Sequence, residues 1–124
     1  MPASSIGMAL GAVASYSVAR DVPFMRVIFC DAAPTDIGFV TPEDIAGRVQ
    51  VTGRGGTVLQ PAVDLLEHAK DFPKNAPLLI ITDGYIEPDL AVHRDHAFLI
   101  PCGNRLPFRT RAEVFYFKEK REEI

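Results

Sequence analysis

Two oxygen-bearing side chains stand where the ends of sheet strands would bring ligands together. Asp83 comes just after the apolar run 78–81, and Thr57 follows Gly55 and Gly56 in a glycine-rich loop. A hydroxyl and a carboxylate at adjacent strand ends suit a hard cation such as Mg²⁺, which takes oxygen ligands and keeps several waters. Two such ligands alone bind the ion poorly, so these residues by themselves predict only a weak site.

Each of these side chains has a structural alternative. Asp83-Gly84 is ordinary turn chemistry, so the carboxylate could cap a turn instead of binding a ligand. Thr57 could be a helix N-cap, but Pro61 would then stand where the helix first needs a backbone N–H. A helix that begins near Gln60 puts Pro61 at an allowed position and frees the Thr57 hydroxyl. The loop lacks the Gly-Lys-Ser/Thr pattern of a phosphate loop, so nucleotide binding is not indicated.

The histidines and cysteines offer a softer set of ligands. His93 and His96 have His-x-x-His spacing, and zinc would need further ligands from Cys30 or Cys102. Cys30 stands inside a predicted buried strand, where a thiol is inert. We therefore expect the histidines to be ordinary polar surface. Two cysteines are too few for a disulfide scaffold, so the reduced cytoplasm is the simpler setting.

Three arginines cluster toward the C-terminal end of the sequence. Arg105, Arg109 and Arg111 lie in a stretch with no acid between Asn104 and Ala112. The stretch could be a solvated loop or a contact patch for an acidic partner, and the sequence leaves both open. Neither a Ser-His-Asp ordering nor a nucleophile elbow is present in the chain, so no catalytic triad is indicated.

Alternating apolar segments must position these side chains. The predicted helices cover about 4–19, 41–47, 60–70 and 89–95. The predicted strands cover 25–30, 36–40, 49–51, 77–81, 96–100 and 113–117. This alternation indicates a parallel α/β sheet covered on both faces, in which ligands bind outside the carboxyl ends of the strands. That edge would hold Asp31, the loop before Thr57, and Asp83.

The composition limits the classes of protein. The chain has 124 residues, the length of one domain, with 48% hydrophobic and 23% charged residues. Its formal net charge of −3 gives no global reason to bind nucleic acid or anionic lipid. The uncharged stretch 1–19 lacks the basic leader of a signal peptide, and its serines and glycines dilute it below a membrane span. A buried helix is therefore expected there.

Several motifs together resemble a known family. The Gly-Gly-Thr of 55–57 before a helix and the Ile-Ile-Thr-Asp-Gly of 80–84 at a strand end resemble the von Willebrand factor A (VWA) family. The runs 9–16 and 29–32 are similar to the bacterial VWA-like domain that follows a metallopeptidase-like domain. The resemblance covers about residues 1–117.

The resemblance implies a doubly wound, mostly parallel sheet with helices on both faces and a metal-ion-dependent adhesion site at its carboxyl edge. In that family an Asp-x-Ser-x-Ser loop supplies three ligands, a Thr in a second loop supplies one, and an Asp in a third supplies the last. The resemblance assigns these last two roles to Thr57 and Asp83. The residues expected to border the partner are Asp31, Gly55, Gly56 and Gly84.

The sequence departs from the family in one respect. The Asp-x-Ser-x-Ser loop and the first, central strand have no counterpart, because Met1 leads almost directly into the first helix. We therefore expect a fragment, or a gene product whose start was assigned at an internal Met. Mg²⁺ is implied by the family, but with three of the five ligands missing we expect weak or absent binding.

The missing strand has a consequence for the sheet. Strands near Ile28 and Ile80 should flank a gap and expose unpaired backbone edges, which recruit other strands. We expect the gap to be closed by direct re-pairing of its neighbours, by the C-terminal strand, or by a partner chain. A homodimer through the exposed sheet edges is one form of the last option.

The function implied by the resemblance is a non-enzymatic protein-interaction domain whose incomplete metal site meets a carboxylate of a partner protein. Bacterial relatives often work beside AAA+ ATPases, so such a system is the partner class considered. Two alternatives stay open: a metal-assisted hydrolase using Asp31 and Asp83, and a structural or regulatory domain of a metallopeptidase-like protein. We expect a cytoplasmic protein without nucleic-acid or membrane partners, with a partial VWA-like domain over 1–117 and a charged tail over 118–124.

Overall fold

The computed structural model describes residues 3–30, 34–45 and 58–118. In these residues the chain is a mixed α/β structure with three helices and five strands. The helices are α1 (Ala3–Ala19), α2 (Pro42–Ile45) and α3 (Gln60–His68). The strands are β1 (Met25–Cys30), β2 (Pro34–Val40), β3 (Leu78–Ile81), β4 (His96–Pro101) and β5 (Glu113–Phe117). None of the helices within these ranges is both long and apolar enough to span a membrane.

β1 and β2 form an antiparallel hairpin in which Met25 lies opposite Val40, and the register shifts between Val27 and Ile28. The expectation that β1 is a parallel strand buried on both faces is therefore wrong. Only three residues separate the two strands, whereas a parallel crossover needs about a dozen. An apolar run indicates burial, but it does not give the direction of the neighbouring strand.

Arg26 connects the hairpin to the segment that follows α3. Its guanidinium donates to both carboxylate oxygens of Asp36, at 2.9 and 2.6 Å, and to Oδ2 of Asp71 at 2.7 Å. The same group lies over the ring of Phe39, 5.0 Å from its centroid. The Arg26 side chain is only 10% exposed, so this ion pair is better shielded than an ordinary surface pair.

β3, β4 and β5 form a parallel sheet in that order, with Leu99 opposite Ile81 on one side and Phe115 on the other. Side chains on β4 alternate between two packed layers, as the period of a strand requires. Leu99 packs with Ala9 of α1, while Phe98 and Ile100 pack with Leu59 and Ile86 on the opposite face. The parallel pairing predicted for these three strands is confirmed.

The predicted helix over 89–95 is absent, and the chain there is an irregular loop. Side chains of α3 accept hydrogen bonds from the backbone of this loop instead. Oε1 of Gln60 accepts the Ala91 N–H at 2.7 Å, and Oε2 of Glu67 accepts the His93 N–H at 2.8 Å. Because the described part of the chain has loops rather than a helix over Phe98, it does not show the expected doubly wound sheet with helices on both faces.

The ends of α2 and α3 can be compared with the predicted helix boundaries. α2 begins at Pro42, within the helix predicted over 41–47, and α3 begins at Gln60 with Pro61 in its first turn, as predicted. α3 ends at His68 rather than at residue 70, because Ala69 is already extended. The predicted strand over 49–51 lies outside the described residues.

The hairpin and the parallel sheet are separate sheets within the described residues. The two are nevertheless in contact: Ile81 of β3 packs against the cluster that contains Val27. Cys30 of β1 likewise packs against the cluster that contains Ile80. In 3–30, 34–45 and 58–118, β1 pairs with β2 alone and β3 with β4 alone, while β5 pairs with β4. Neither direct re-pairing of the strands around Ile28 and Ile80 nor the C-terminal strand joins the two sheets there.

Candidate functional site

Asp83 lies just beyond the carboxyl end of β3. The preceding Thr82 is buried and continues the strand pairing, donating its N–H to the Leu99 carbonyl at 3.2 Å. Oδ1 of Asp83 accepts the Tyr85 N–H at 3.0 Å, and its backbone carbonyl accepts from Nδ2 of Asn104 at 2.7 Å. The half-buried carboxylate therefore stands at the predicted edge of the sheet and also holds the turn.

Gly84 permits this turn for two reasons. Its φ of 94° lies in the left-handed region that favours glycine. A Cβ at this position would also overlap the backbone carbonyl of Arg105. The backbone of the loop after β4 thus lies directly against the turn after β3. Any larger residue at this position would displace the loop that fixes Asp83.

Glu87 is a site residue that sequence reasoning missed. Its two carboxylate oxygens accept the N–H of Leu59 at 2.9 Å each, and Oε2 also accepts the N–H of Gln60 at 3.1 Å. Leu59, the N-cap of α3, has no side-chain oxygen of its own, so an external acceptor satisfies these first helical donors. The signal was indirect: a helix without a capping side chain needs an acceptor from elsewhere.

The environment of Glu87 extends to β1. Cys30 is a free cysteine, and its pKa is raised to about 11, first by burial and then by the negative charge of Glu87. A thiol with so high a pKa stays protonated near neutrality and is a poor nucleophile and metal ligand. The inert thiol expected at Cys30 stays a prediction.

Of the predicted site residues, the structure describes Asp83 and Gly84. Thr57, Gly55, Gly56 and Asp31 lie outside the described residues. Within the described ranges, no three His, Cys, Asp or Glu side chains are grouped closely enough to hold a metal ion. The pair suggested for zinc is engaged elsewhere: Nδ1 of His93 lies 3.4 Å from Oε1 of Glu67, and Nδ1 of His96 lies 2.8 Å from the Arg94 carbonyl.

The arginine stretch occupies the loop between β4 and β5. Arg105, Arg109 and Arg111 are all exposed. Arg109 and Arg111 precede β5 and line a cavity with His93 and His96 at the amino end of the parallel strands. Parallel strands share one direction, so that cavity lies at the edge opposite Asp83.

Comparison with known proteins adds no relative. No protein family, no curated protein and no solved structure matches this chain. The resemblance to the VWA family stays a prediction.

Proposed function

We propose that the chain is a non-enzymatic protein-interaction domain of VWA type whose carboxyl edge receives a carboxylate of a partner protein. Asp83 and Thr57 are its two side-chain metal ligands, and Asp31, Gly55, Gly56 and Gly84 border the partner. The proposal is supported chiefly by one observation, the hydrogen bonds between Glu87 and the start of α3.

Those hydrogen bonds connect the two predicted ligand segments. Thr57 precedes Leu59 by two residues, and Asp83 precedes Glu87 by four. Consecutive Cα atoms are about 3.8 Å apart, so the chain tethers Thr57 within about 8 Å of Leu59. The Glu87 carboxylate lies against Leu59 in turn. Four residues can span about 15 Å, so the contact supports a meeting of the two segments. The meeting of their side chains at one ion is part of the proposal.

The donor chemistry fits Mg²⁺ in kind but not in number. Mg²⁺ prefers oxygen ligands in near-octahedral geometry, and Asp83 and Thr57 both offer oxygen. One Asp83 oxygen already accepts the Tyr85 N–H, which holds the carboxylate in place. When bound, Mg²⁺ supplies a positive charge that a partner carboxylate can join. Asp83 and Thr57 would hold the ion weakly.

Fixed polar contacts surround the turn that carries Asp83. The Thr82 hydroxyl accepts the Gly84 N–H at 3.2 Å, and the Asn104 amide donates to the Asp83 backbone carbonyl. These are fixed polar contacts of the kind that orient a ligand. The AAA+ ATPase system proposed as partner follows from the resemblance alone.

Paramagnetic Mn²⁺ tests the site without requiring tight binding. We expect low Mn²⁺ concentrations to broaden the amide NMR signals of Gly84 and Tyr85 first, with a Kd weaker than about 1 mM by calorimetry. Asp83→Asn and Thr57→Ala should each abolish the selective broadening, whereas Asp89→Asn, which removes an exposed neighbouring carboxylate, should not. Broadening centred elsewhere, or unchanged in Asp83→Asn, would contradict the proposal. Sub-millimolar Mn²⁺ binding that depends on both residues would show a complete metal site and would contradict the incomplete site proposed.

A further inference from the structure

A cavity of about 450 Å³ opens between the two loops that lead into β4 and β5. One wall is the loop through Leu90 and Val92, the other is the loop through Phe108 and Arg109, and Phe98 of β4 lies beneath them. It is an open concavity of the surface rather than an enclosed pocket. The cavity lies at the amino edge of the parallel sheet, so it is separate from the edge that holds Asp83.

The base of the cavity is apolar and aromatic. Phe98 is 1% exposed and meets the ring of Phe108 at a centroid distance of 5.7 Å and the edge of His96 at 5.4 Å. Leu90 and Val92 pack against the same cluster. Phe98 is thus already covered, and the apolar surface left for a ligand belongs to the half-buried Leu90, Val92 and Phe108. An aromatic or branched aliphatic body would cover that surface.

The rim of the cavity is basic. It carries the guanidinium groups of Arg109 and Arg111 and the imidazole of His93, and none of the residues lining the cavity is acidic. Among residues 3–30, 34–45 and 58–118, no ion pair joins Arg109 or Arg111 to an acid. Glu67 is engaged by the ring and backbone of His93. Asp89 and Asp95 adjoin lining residues in the sequence, but they are exposed and do not line the cavity themselves.

Charge complementarity therefore identifies the ligand class. The chain as a whole carries a net charge of −3, so a concentrated positive rim over an apolar base is a local feature. A guanidinium matches a carboxylate through two parallel hydrogen bonds. We propose that this cavity binds a small organic carboxylate whose apolar body is aromatic or branched.

Naphthoate, compared with its neutral amide, tests the proposal on the whole chain. We expect naphthoate to shift the amide NMR signals of residues 89–93 and 108–111, with a Kd below about 1 mM. Naphthamide has nearly the same shape without the charge, and it should bind about tenfold more weakly. The double variant Arg109→Gln/Arg111→Gln should lose about tenfold in naphthoate affinity. The control Arg20→Gln/Lys118→Gln removes the same charge after α1, which packs on the Leu99 face of β4, and at the carboxyl end of β5. Its naphthoate affinity should stay within about twofold of the wild type.

Four results would overturn the proposal. The first is equal binding of naphthoate and naphthamide. The second is naphthoate affinity that is unchanged in the Arg109/Arg111 variant, and the third is signal shifts located outside the two loops. The fourth is absence of naphthoate binding, and binding of an acidic peptide in its place would favour a protein-docking surface. Should the double variant fail to fold, the wild-type comparison of the two compounds and the location of the shifts still decide the matter.

Discussion

The carboxylate of Glu87 accepts the backbone N–H of Leu59 on both of its oxygens, at 2.9 Å each. The contact joins the loop after β3 to the first turn of α3, and it gives that turn the acceptor that its own residues lack. Ile86 and Leu59 are buried in one cluster beside it. A polar and an apolar contact thus fix the same junction.

Removal of the Glu87 carboxylate should destabilise the protein. Glu87→Ala leaves the Leu59 and Gln60 donors without their acceptor, which we expect to lower the free energy of unfolding by about 2 kcal/mol. Glu87→Gln keeps an acceptor oxygen and should cost less. Urea unfolding measures the effect, and faster amide hydrogen exchange at Leu59 and Gln60 should locate it. Asp89→Ala is the control, and an equal loss in both alanine variants would show that the cap contributes nothing.

The same junction shows how far the sequence could predict this molecule. A helix starting at Gln60 followed from the position of Pro61, because proline restricts where a helix can begin. The sequence could not identify Glu87 as the residue that accepts hydrogen bonds from that helix end. Glu87 is distant in sequence, and any acid in a neighbouring loop could have taken this role. The pairing of β1 failed for a related reason: its apolar run gives burial, while the direction of its partner depends on the connection to β2. The helix expected over 89–95 does not form, and the side chains of Gln60 and Glu67 accept backbone hydrogen bonds from that segment instead.

Acid should weaken the hairpin through Asp36. The Arg26 guanidinium lowers the pKa of the Asp36 carboxyl below its usual value of 3.8. The folded state therefore binds this proton less readily than the unfolded state, and the stabilisation is present above the unfolded pKa. It is lost as the pH falls through the lower, folded pKa. Asp36→Asn should be less stable than the wild type near neutrality and should show a smaller decline between about pH 5 and about pH 3.

Urea midpoints measured across that pH range decide this prediction. Asp89→Asn removes an exposed carboxylate outside the Arg26 contacts and should follow the wild-type pH profile. A parallel decline in the wild type and in Asp36→Asn would mean that the ion pair is not the acid-sensitive contact.

The two cysteines should differ in reactivity. Burial and the charge of Glu87 raise the pKa of Cys30 to about 11, while Cys102 is exposed. Because the thiolate is the reactive form, Ellman's reagent at about pH 8 should titrate one thiol quickly and the other slowly. Cys102→Ser should remove the fast phase. A fast phase that persists in that variant would place the reactive thiol at Cys30.

The separated edges of β1 and β3 should promote self-association. In the described ranges each of these strands pairs on one side only, and an unpaired strand edge accepts another strand. Leu79 on β3 is 44% exposed and adds apolar surface beside that edge. We expect sedimentation velocity to show a concentration-dependent dimer, and Leu79→Lys should shift it toward monomer because a lysine on an edge strand opposes pairing.

Phe115→Lys provides the matched control for this edge. Phe115 lies on β5, the opposite outer strand of the parallel sheet, and is similarly exposed at 49%. If the dimer uses the side of the sheet next to the hairpin, this variant should keep the wild-type distribution. A wild-type monomer at every concentration would exclude association through β1 and β3. Greater sensitivity to Phe115→Lys would move the contact to the β5 edge.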